Sequence, residues 1–384
     1  MAPAPVSRDM LARLVAFPTV STASNLDLVG FVEGWLAEHG IAPVRVPDSA
    51  GGKASVFARI GPDVPGGVVL SAHTDVVPVI GQAWSSDPWT LTERDGRLYG
   101  RGTCDMKGFA AAALALVPEM TAAPLRRPIL IALSHDEEIG CLKAPELIEA
   151  ILATGPRPEA VIVGEPSEMR VVTGHKGSWE FAGHARGHEV HSSLVHTGVS
   201  AVTAAARMIA WTADTMAENA RAAAPSAFVP PYTTLHVGVV KGGTAKNITA
   251  RDCSFIGEVR VMPDESIAEW RARLEAEAAR IEAEMQAIRP ETSLILESTI
   301  AIPPLVPEPD GAAERLARAL TGDNGTHVVS YQTEAGQFQE RGLSTVVCGP
   351  GSITEAHQPD EYLSLDHLSA AETFIRPLIR HPSE

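Results

Sequence analysis

The sequence predicts an α/β protein carrying a second, smaller α+β domain, and three observations lead there. Short apolar runs, Val56 to Ile60, Val68 to Ser71 and Ile129 to Leu133, follow two stretches with helical spacing, and an Ala-rich helical stretch lies between the last two, the pattern of a sheet layered with helices. Near residue 177 the texture changes to strands around two helices, continuing to roughly residue 298. The chain's 384 residues are enough for two or three ordinary domains, so a substantial core can be buried.

Taken in order, Met10, Leu11, Leu14 and Val15, then Leu28, Phe31, Val32, Trp35 and Leu36, recur at helical spacing and are interrupted at Phe17-Pro18-Thr19, which predicts two helices with a break. An Ala-rich helix is expected from Gly108 to Val117, and a strand from Ala160 to Val163. In the second domain Ser178 to Ala185, Tyr232 to Val240 and Cys253 to Val261 read as strands, Val199 to Thr215 and Ser266 to Arg289 as helices, and Asn219 to Pro231 as a loop. After Pro303-Pro304, a helix (Ala312 to Leu320) and short strands (Val328 to Ser330, Ser344 to Cys348) are expected to rejoin the first sheet.

Composition excludes several classes of protein. Hydrophobic residues at 45% and charged residues at 20% are ordinary for a globular chain, and no run of 18 apolar residues predicts a membrane span. A net charge of −16 would repel phosphate backbones, so no nucleic-acid partner is expected. Cys104, Cys141, Cys253 and Cys348 form no CxxC pair, and the N-terminus lacks the pattern of a secretory signal, so a cytoplasmic location is expected.

The chemistry-bearing residues follow the apolar runs. His73 and Asp75 come at the end of one, where ligands gather in α/β sheets; two apart on an extended segment, they share a face, and a carboxylate there can fix a metal-binding imidazole. An ordinary surface pair is the alternative. Asp105 stands in a glycine-flanked loop before the Ala-rich helix and suits either a helix cap or a metal ligand; the spacing of its glycines fits no phosphate-cradling loop. Asp136, Glu137 and Glu138 repel one another at the end of the next run, which calls for a cation unless the turn is simply solvated. On an extended backbone Glu137 and Glu138 would point apart, one toward metal and the other toward a water. Glu165 and His357 bring the set to two histidines and three carboxylates with Asp105 and Glu138, the number and type needed to hold two Zn²⁺-like ions.

The ordered motifs SAHTDVVP, LYGRGTCDMKG, SHDEEIG, GEPS, VHSS, GGTAKNI and GPGSITEAHQPDE resemble the M20 family of dinuclear zinc amidohydrolases and peptidases over nearly the whole chain. GHKG, YQTEAGQF and PPYTTLHVGVVKGGTAKNIT look most like its acetylornithine deacetylase branch. The resemblance implies a zinc-peptidase-like catalytic domain, a mixed sheet flanked by helices, over 1–176 and 299–384, with an inserted ferredoxin-like dimerisation domain over 177–298. It implies two Zn²⁺, with Co²⁺ as an acceptable substitute: Asp105 bridging, His73 and Glu165 on one ion, and Glu138 and His357 on the other. Asp75 would orient His73, Glu137 would be the base, and His191 would reach into the partner subunit's site of a homodimer. Asn247 and Arg260 match positions that contact substrate, although an ion pair with Glu258 is an alternative for Arg260. Cys141-Leu142-Lys143 and Glu258 depart from common family forms without removing a ligand.

The expected activity is hydrolysis of an N-acyl amino acid, N-acetyl-L-ornithine in arginine biosynthesis foremost; a related acylase, succinyl-diaminopimelate desuccinylase or dipeptidase/carboxypeptidase is the enzymatic alternative. Glu334 would line the pocket and pair with the ornithine amine, or else brace its loop. A zinc-dependent binding protein without turnover should lack the base or a ligand, and none is missing here.

Overall fold

The computed structural model describes residues 5–380. They form two compact units: one comprises residues up to 174 together with 305–327 and those from 333 onward, the other 175–304 with 328–332.

In the first unit, helices α1 (Ser7–Val15) and α2 (Leu26–Glu38) flank the Pro18 break. Strands β1 (Val44–Pro47), β2 (Ala54–Ile60) and β3 (Val68–His73) follow, then the short hairpin β4 (Thr92–Arg94) and β5 (Arg97–Tyr99). The Ala-rich stretch is two helices, α3 (Gly108–Ala115) and α4 (Val117–Ala122), rather than one. Pro118 explains the division, because it has no N–H to continue the ladder yet suits the first turn of α4. Next come β6 (Ile129–Ser134), α5 (Ala144–Ala153), β7 (Ala160–Pro166) and β8 (Val172–His175).

The second unit runs β9 (Gly177–Arg186), α6 (Ala201–Ala222), β10 (Thr234–Gly242), β11 (Asp252–Val261), α7 (Ile267–Gln286) and β12 (Ser293–Ile302). This βαββαβ order, with strands lying β10-β11-β9-β12, builds a four-stranded antiparallel sheet. Strand β12 was not anticipated from the sequence and carries the unit past residue 298. Helix α6 also extends beyond Thr215 into the stretch read as a loop. Along β11, alternate residues are buried, so one face packs under the helices around Trp179, Phe181 and Phe255. Ser200 and Ser266 cap α6 and α7 by accepting backbone N–H groups from Thr203 and Glu269.

The chain then re-enters the first unit with α8 (Ala312–Thr321), crosses the boundary at β13 (His327–Val329), and ends in α9 (Ala335–Glu340), β14 (Ser344–Gly349), β15 (Tyr362–Ser364) and α10 (Leu365–Arg380). Seven strands lie in the order β1-β2-β6-β3-β7-β14-β8, a mixed sheet in which β6, β3, β7 and β14 are parallel. Strands β3, β6 and β7 are buried along their whole length, as expected of parallel strands covered on both faces. That burial is why these segments are legible as continuous apolar runs, each buried Val, Leu or Ile contributing about 1.5–3 kcal/mol. Because these strands are parallel, their carboxyl ends lie at one edge of the sheet, and the residues that follow them converge there. Among the described residues no helix is long and apolar enough to cross a membrane.

Candidate metal centre

His73 is the last residue of β3, and Glu165 lies near the end of the adjacent β7. Asp105 comes from an irregular turn, Thr103–Lys107, entered through Gly102 at φ 83°. A Cβ on Gly102 would stand 2.7 Å from Val76 Cγ1, so both the backbone conformation and the space require glycine. Past β6 the chain bends, with Asp136 at φ 60°, and delivers Glu137 and Glu138 to different partners. Their divergence therefore comes from a turn and not from an extended backbone. His357, at φ 64°, enters from the loop before β15.

These side chains meet. His73 Nε2 lies 3.0 Å from Asp105 Oδ1 and 3.7 Å from Glu165 Oε1. His357 Nε2 lies 3.1 Å from Asp105 Oδ2 and 3.0 Å from Glu138 Oε2. Each oxygen of Asp105 thus faces a different histidine, with one further carboxylate on either side. His73, Glu137 and Glu165, and likewise His73, Asp105 and Glu138, bring potential ligand atoms within 4.8 Å of one another.

The electrostatics call for cations. Burial together with the Asp105 charge pushes Glu138 and Glu165 upward, and Glu138 Oε1 is buried without a hydrogen-bond partner. Asp105 is held low despite its burial, because His357 and His73 hydrogen-bond to it. His357 is pushed up to about 10 by its hydrogen bonds to Asp105 and Glu138. For His73 the hydrogen bond to Asp105 and the charges of Glu165 and Asp105 outweigh the opposing effect of burial. Protons on two imidazoles therefore do here what divalent ions would do better, and two histidines with three carboxylates form a donor set that fits two such ions.

Glu137 is pushed up to about 8, first by burial and then by Glu138 and Asp105, with His73 opposing. Its Oε1 accepts a contact from Cys141 Sγ at 3.1 Å, so the cysteine that departs from the common family form touches the expected base. Asp75 has more partners than its expected role supplies. Its main-chain carbonyl faces His73 Nδ1 at 2.8 Å, while its carboxylate is 3.7 Å away. The carboxylate instead accepts the Ser21 hydroxyl at 2.7 Å and the backbone N–H groups of Glu137 and Glu138 at 3.2 and 3.3 Å. Asp75 therefore holds both the imidazole and the acidic turn in place.

Glu334, just before α9, is 1% exposed, and one of its carboxylate oxygens has no hydrogen-bond partner; burial pushes it up to about 7. The remaining expected residues lie in the second unit. His191 is exposed and pairs through Nδ1 with Ser193 Oγ at 2.9 Å, and the Ser192 N–H donates to the Asn247 carbonyl, which places those two segments side by side. Arg260 pairs with Glu258 at 2.9 Å, the ion pair held as its alternative.

Several residues escaped the sequence reading. Ser21 and Lys53 brace the acidic turn through Asp75 and Asp136. Lys107 donates to the carbonyls of Leu14 and Phe17 at the end of α1, and burial draws it down to about 7. The short motifs around Arg101 and Glu361 were visible as strings of letters, but nothing local joins residues 260 positions apart.

A parallel-sheet edge where Asp105 stands between His73 and His357, with Glu137, Glu138 and Glu165 beside them, carries a donor set that fits a metal-dependent hydrolase. The particular family is shown by comparison: residues 69–381 match the model of Peptidase family M20/M25/M40, and the chain belongs to that family. It is 32% identical to the acetylornithine deacetylase of Myxococcus xanthus over 98% of this chain and 97% of that one. It is 33% identical to that of Shigella sonnei (strain Ss046), over 96% and 95%. Among solved structures, the M20 family metallo-carboxypeptidase Sso-CP2 from Sulfolobus solfataricus superposes with a TM-score of 0.76 at 16% identity, covering 97% of this chain and 98% of that one. A tripeptidase from Staphylococcus aureus gives a TM-score of 0.76 at 18% identity, with 97% of each chain covered. At these identities the two structures speak for the fold alone.

Proposed function

We propose that the enzyme hydrolyses the amide bond of N-acyl amino acids, and that N-acetyl-L-ornithine, cleaved to L-ornithine and acetate for arginine biosynthesis in the cytoplasm, is its principal substrate. The observation that carries this reading is Asp105 standing between His73 and His357 with Glu137 beside them. The near full-length likeness to acetylornithine deacetylases supports the choice of substrate.

His73, Asp105 and Glu165 would hold one ion and Asp105, Glu138 and His357 the other, with Zn²⁺ the proposed metal and Co²⁺ a substitute. When bound, such ions supply Lewis acidity, which polarises an acyl oxygen and acidifies water. Glu137 takes a proton from the water as its oxygen attacks the acyl carbon, then hands that proton to the nitrogen as the C–N bond breaks.

Arg260 and Asn247 are proposed to hold the substrate, the guanidinium on its carboxylate, and the unpartnered oxygen of Glu334 suits the side-chain ammonium of ornithine. A homodimer is proposed to form through the second unit, where edge strand β10 exposes Val239 and Val240, with His191 acting on the second copy's site. A hydrolysis screen across acetylated, formylated and succinylated amino acids and dipeptides, with metal content measured in parallel, tests the reading. Preference for acetylornithine supports it; preference for acetylmethionine, a succinylated diamine or a dipeptide replaces the substrate, and no hydrolysis despite full metal loading defeats it.

A further inference from the structure

Behind the metal centre lies a buried polar chain with no part in proton transfer. Glu361 is 1% exposed, and its Oε1 accepts the backbone N–H groups of Cys104 at 2.9 Å and Asp105 at 3.1 Å. Its Oε2 pairs with Arg101 Nη1 at 2.5 Å, and Arg101 is likewise 1% exposed. Arg101 Nη2 donates to Gln82 Oε1 at 2.5 Å. Trp84 Nε1 donates to that same oxygen at 3.1 Å, and the Arg101 guanidinium lies over the Trp84 ring. With two donors on its oxygen, the Gln82 amide has only one orientation open, and its Nε2 donates to the main-chain carbonyl of His357 at 2.8 Å.

The chain therefore begins at the backbone of Asp105 and ends at the backbone of His357. His357 needs such support: its side chain is 49% exposed, its backbone is at φ 64°, and it stands in a loop outside the sheet. The same loop is tied to the same segment a second time, through Asp360 Oδ1, which accepts the Ser85 N–H and hydroxyl at 2.8 and 3.0 Å. Net stability is a poor reason to bury an arginine with a glutamate, since the desolvation cost of such a pair rivals the attraction gained. Fixed geometry is a better one, because both ends of this network are metal-ligand candidates.

Resting on the dinuclear reading of the site, we propose that Gln82, Arg101 and Glu361 are positioning residues that act as one strut, fixing His357 relative to Asp105 and so setting the affinity of the metal position flanked by His357 and Glu138. Gln82 is the informative place to cut it. Gln82→Glu keeps the acceptor for Arg101 and Trp84 but turns an oxygen toward the His357 carbonyl, so the link to His357 is lost while the buried ion pair remains.

The test is competitive Zn²⁺ titration of the metal-free full-length protein and its variants, with circular dichroism and thermal melting of the metal-free forms alongside. Gln82→Glu is expected to weaken the second Zn²⁺ by about 10- to 100-fold, the range for losing a contact that orients a ligand, while the first Zn²⁺ and the melting temperature stay as in the wild type. In a His357→Ala background the same change should have no further effect, because the ligand it positions is gone. Wild-type affinity for both ions in Gln82→Glu overturns the strut, and so does equal weakening of both or an undiminished effect without His357. A wild-type protein that takes up fewer than two Zn²⁺ overturns the dinuclear reading itself, which separates the two failures.

Discussion

Replacing Glu137 by Gln is the most direct test of how the centre works. The change keeps the shape of the side chain and its backbone tie to Asp75, 3.2 Å from the Glu137 N–H, so the acidic turn has no reason to move. Pushed up to about 8, the Glu137 carboxyl is mostly protonated and neutral in the metal-free protein at neutral pH, so the neutral amide takes its place with little change of charge. The metal-free protein should therefore melt no lower than the wild type. The amide cannot accept the water's proton, and loss of a general base costs about 10²- to 10⁴-fold in kcat. At about 1.36 kcal/mol per decade that is roughly 3–5 kcal/mol of barrier. The assay is steady-state hydrolysis of acetylornithine by protein whose metal content is measured in the same sample. A variant with wild-type metal content and kcat within about tenfold of wild type would refute the assignment of Glu137 as base.

Other outcomes follow from the same geometry. Because His357 keeps its proton up to about 10 in the metal-free site, Zn²⁺ must displace it, so uptake at neutral pH should release protons and tighten as pH rises. Calorimetry in buffers of differing ionisation heat measures this, and binding without proton release would contradict the charge state assigned to the site. Glu334→Gln should raise KM for acetylornithine and leave acetylmethionine nearly unchanged; an equal loss on both substrates would assign Glu334 to supporting its loop. Mixing inactive His191→Ala chains with inactive Glu137→Gln chains should restore some activity through mixed dimers. No recovery despite demonstrated subunit exchange would rule out His191 acting on the second copy's site.

The sequence by itself determined the parallel core strands and the residues that follow them, because strands buried on both faces must be apolar throughout and their ends are where polar side chains can gather. It also contained the five metal-ligand candidates, since His73, Asp105, Glu138, Glu165 and His357 stand in short strings whose residue types are chemically telling. Strands of only three residues such as β4, β5 and β15 left no such trace, and β12, half exposed, lacks a clear apolar run. Only the tertiary structure decided how the ligands are held. That Asp75 grips the turn carrying Glu137 and Glu138, that Cys141 touches Glu137, and that Glu361, far away in sequence, accepts the backbone N–H of Asp105 all depend on loops meeting at one sheet edge. Hydrophobic periodicity is a local signal that survives in the letters, whereas a hydrogen bond between residues 256 positions apart exists only once the fold has brought them together.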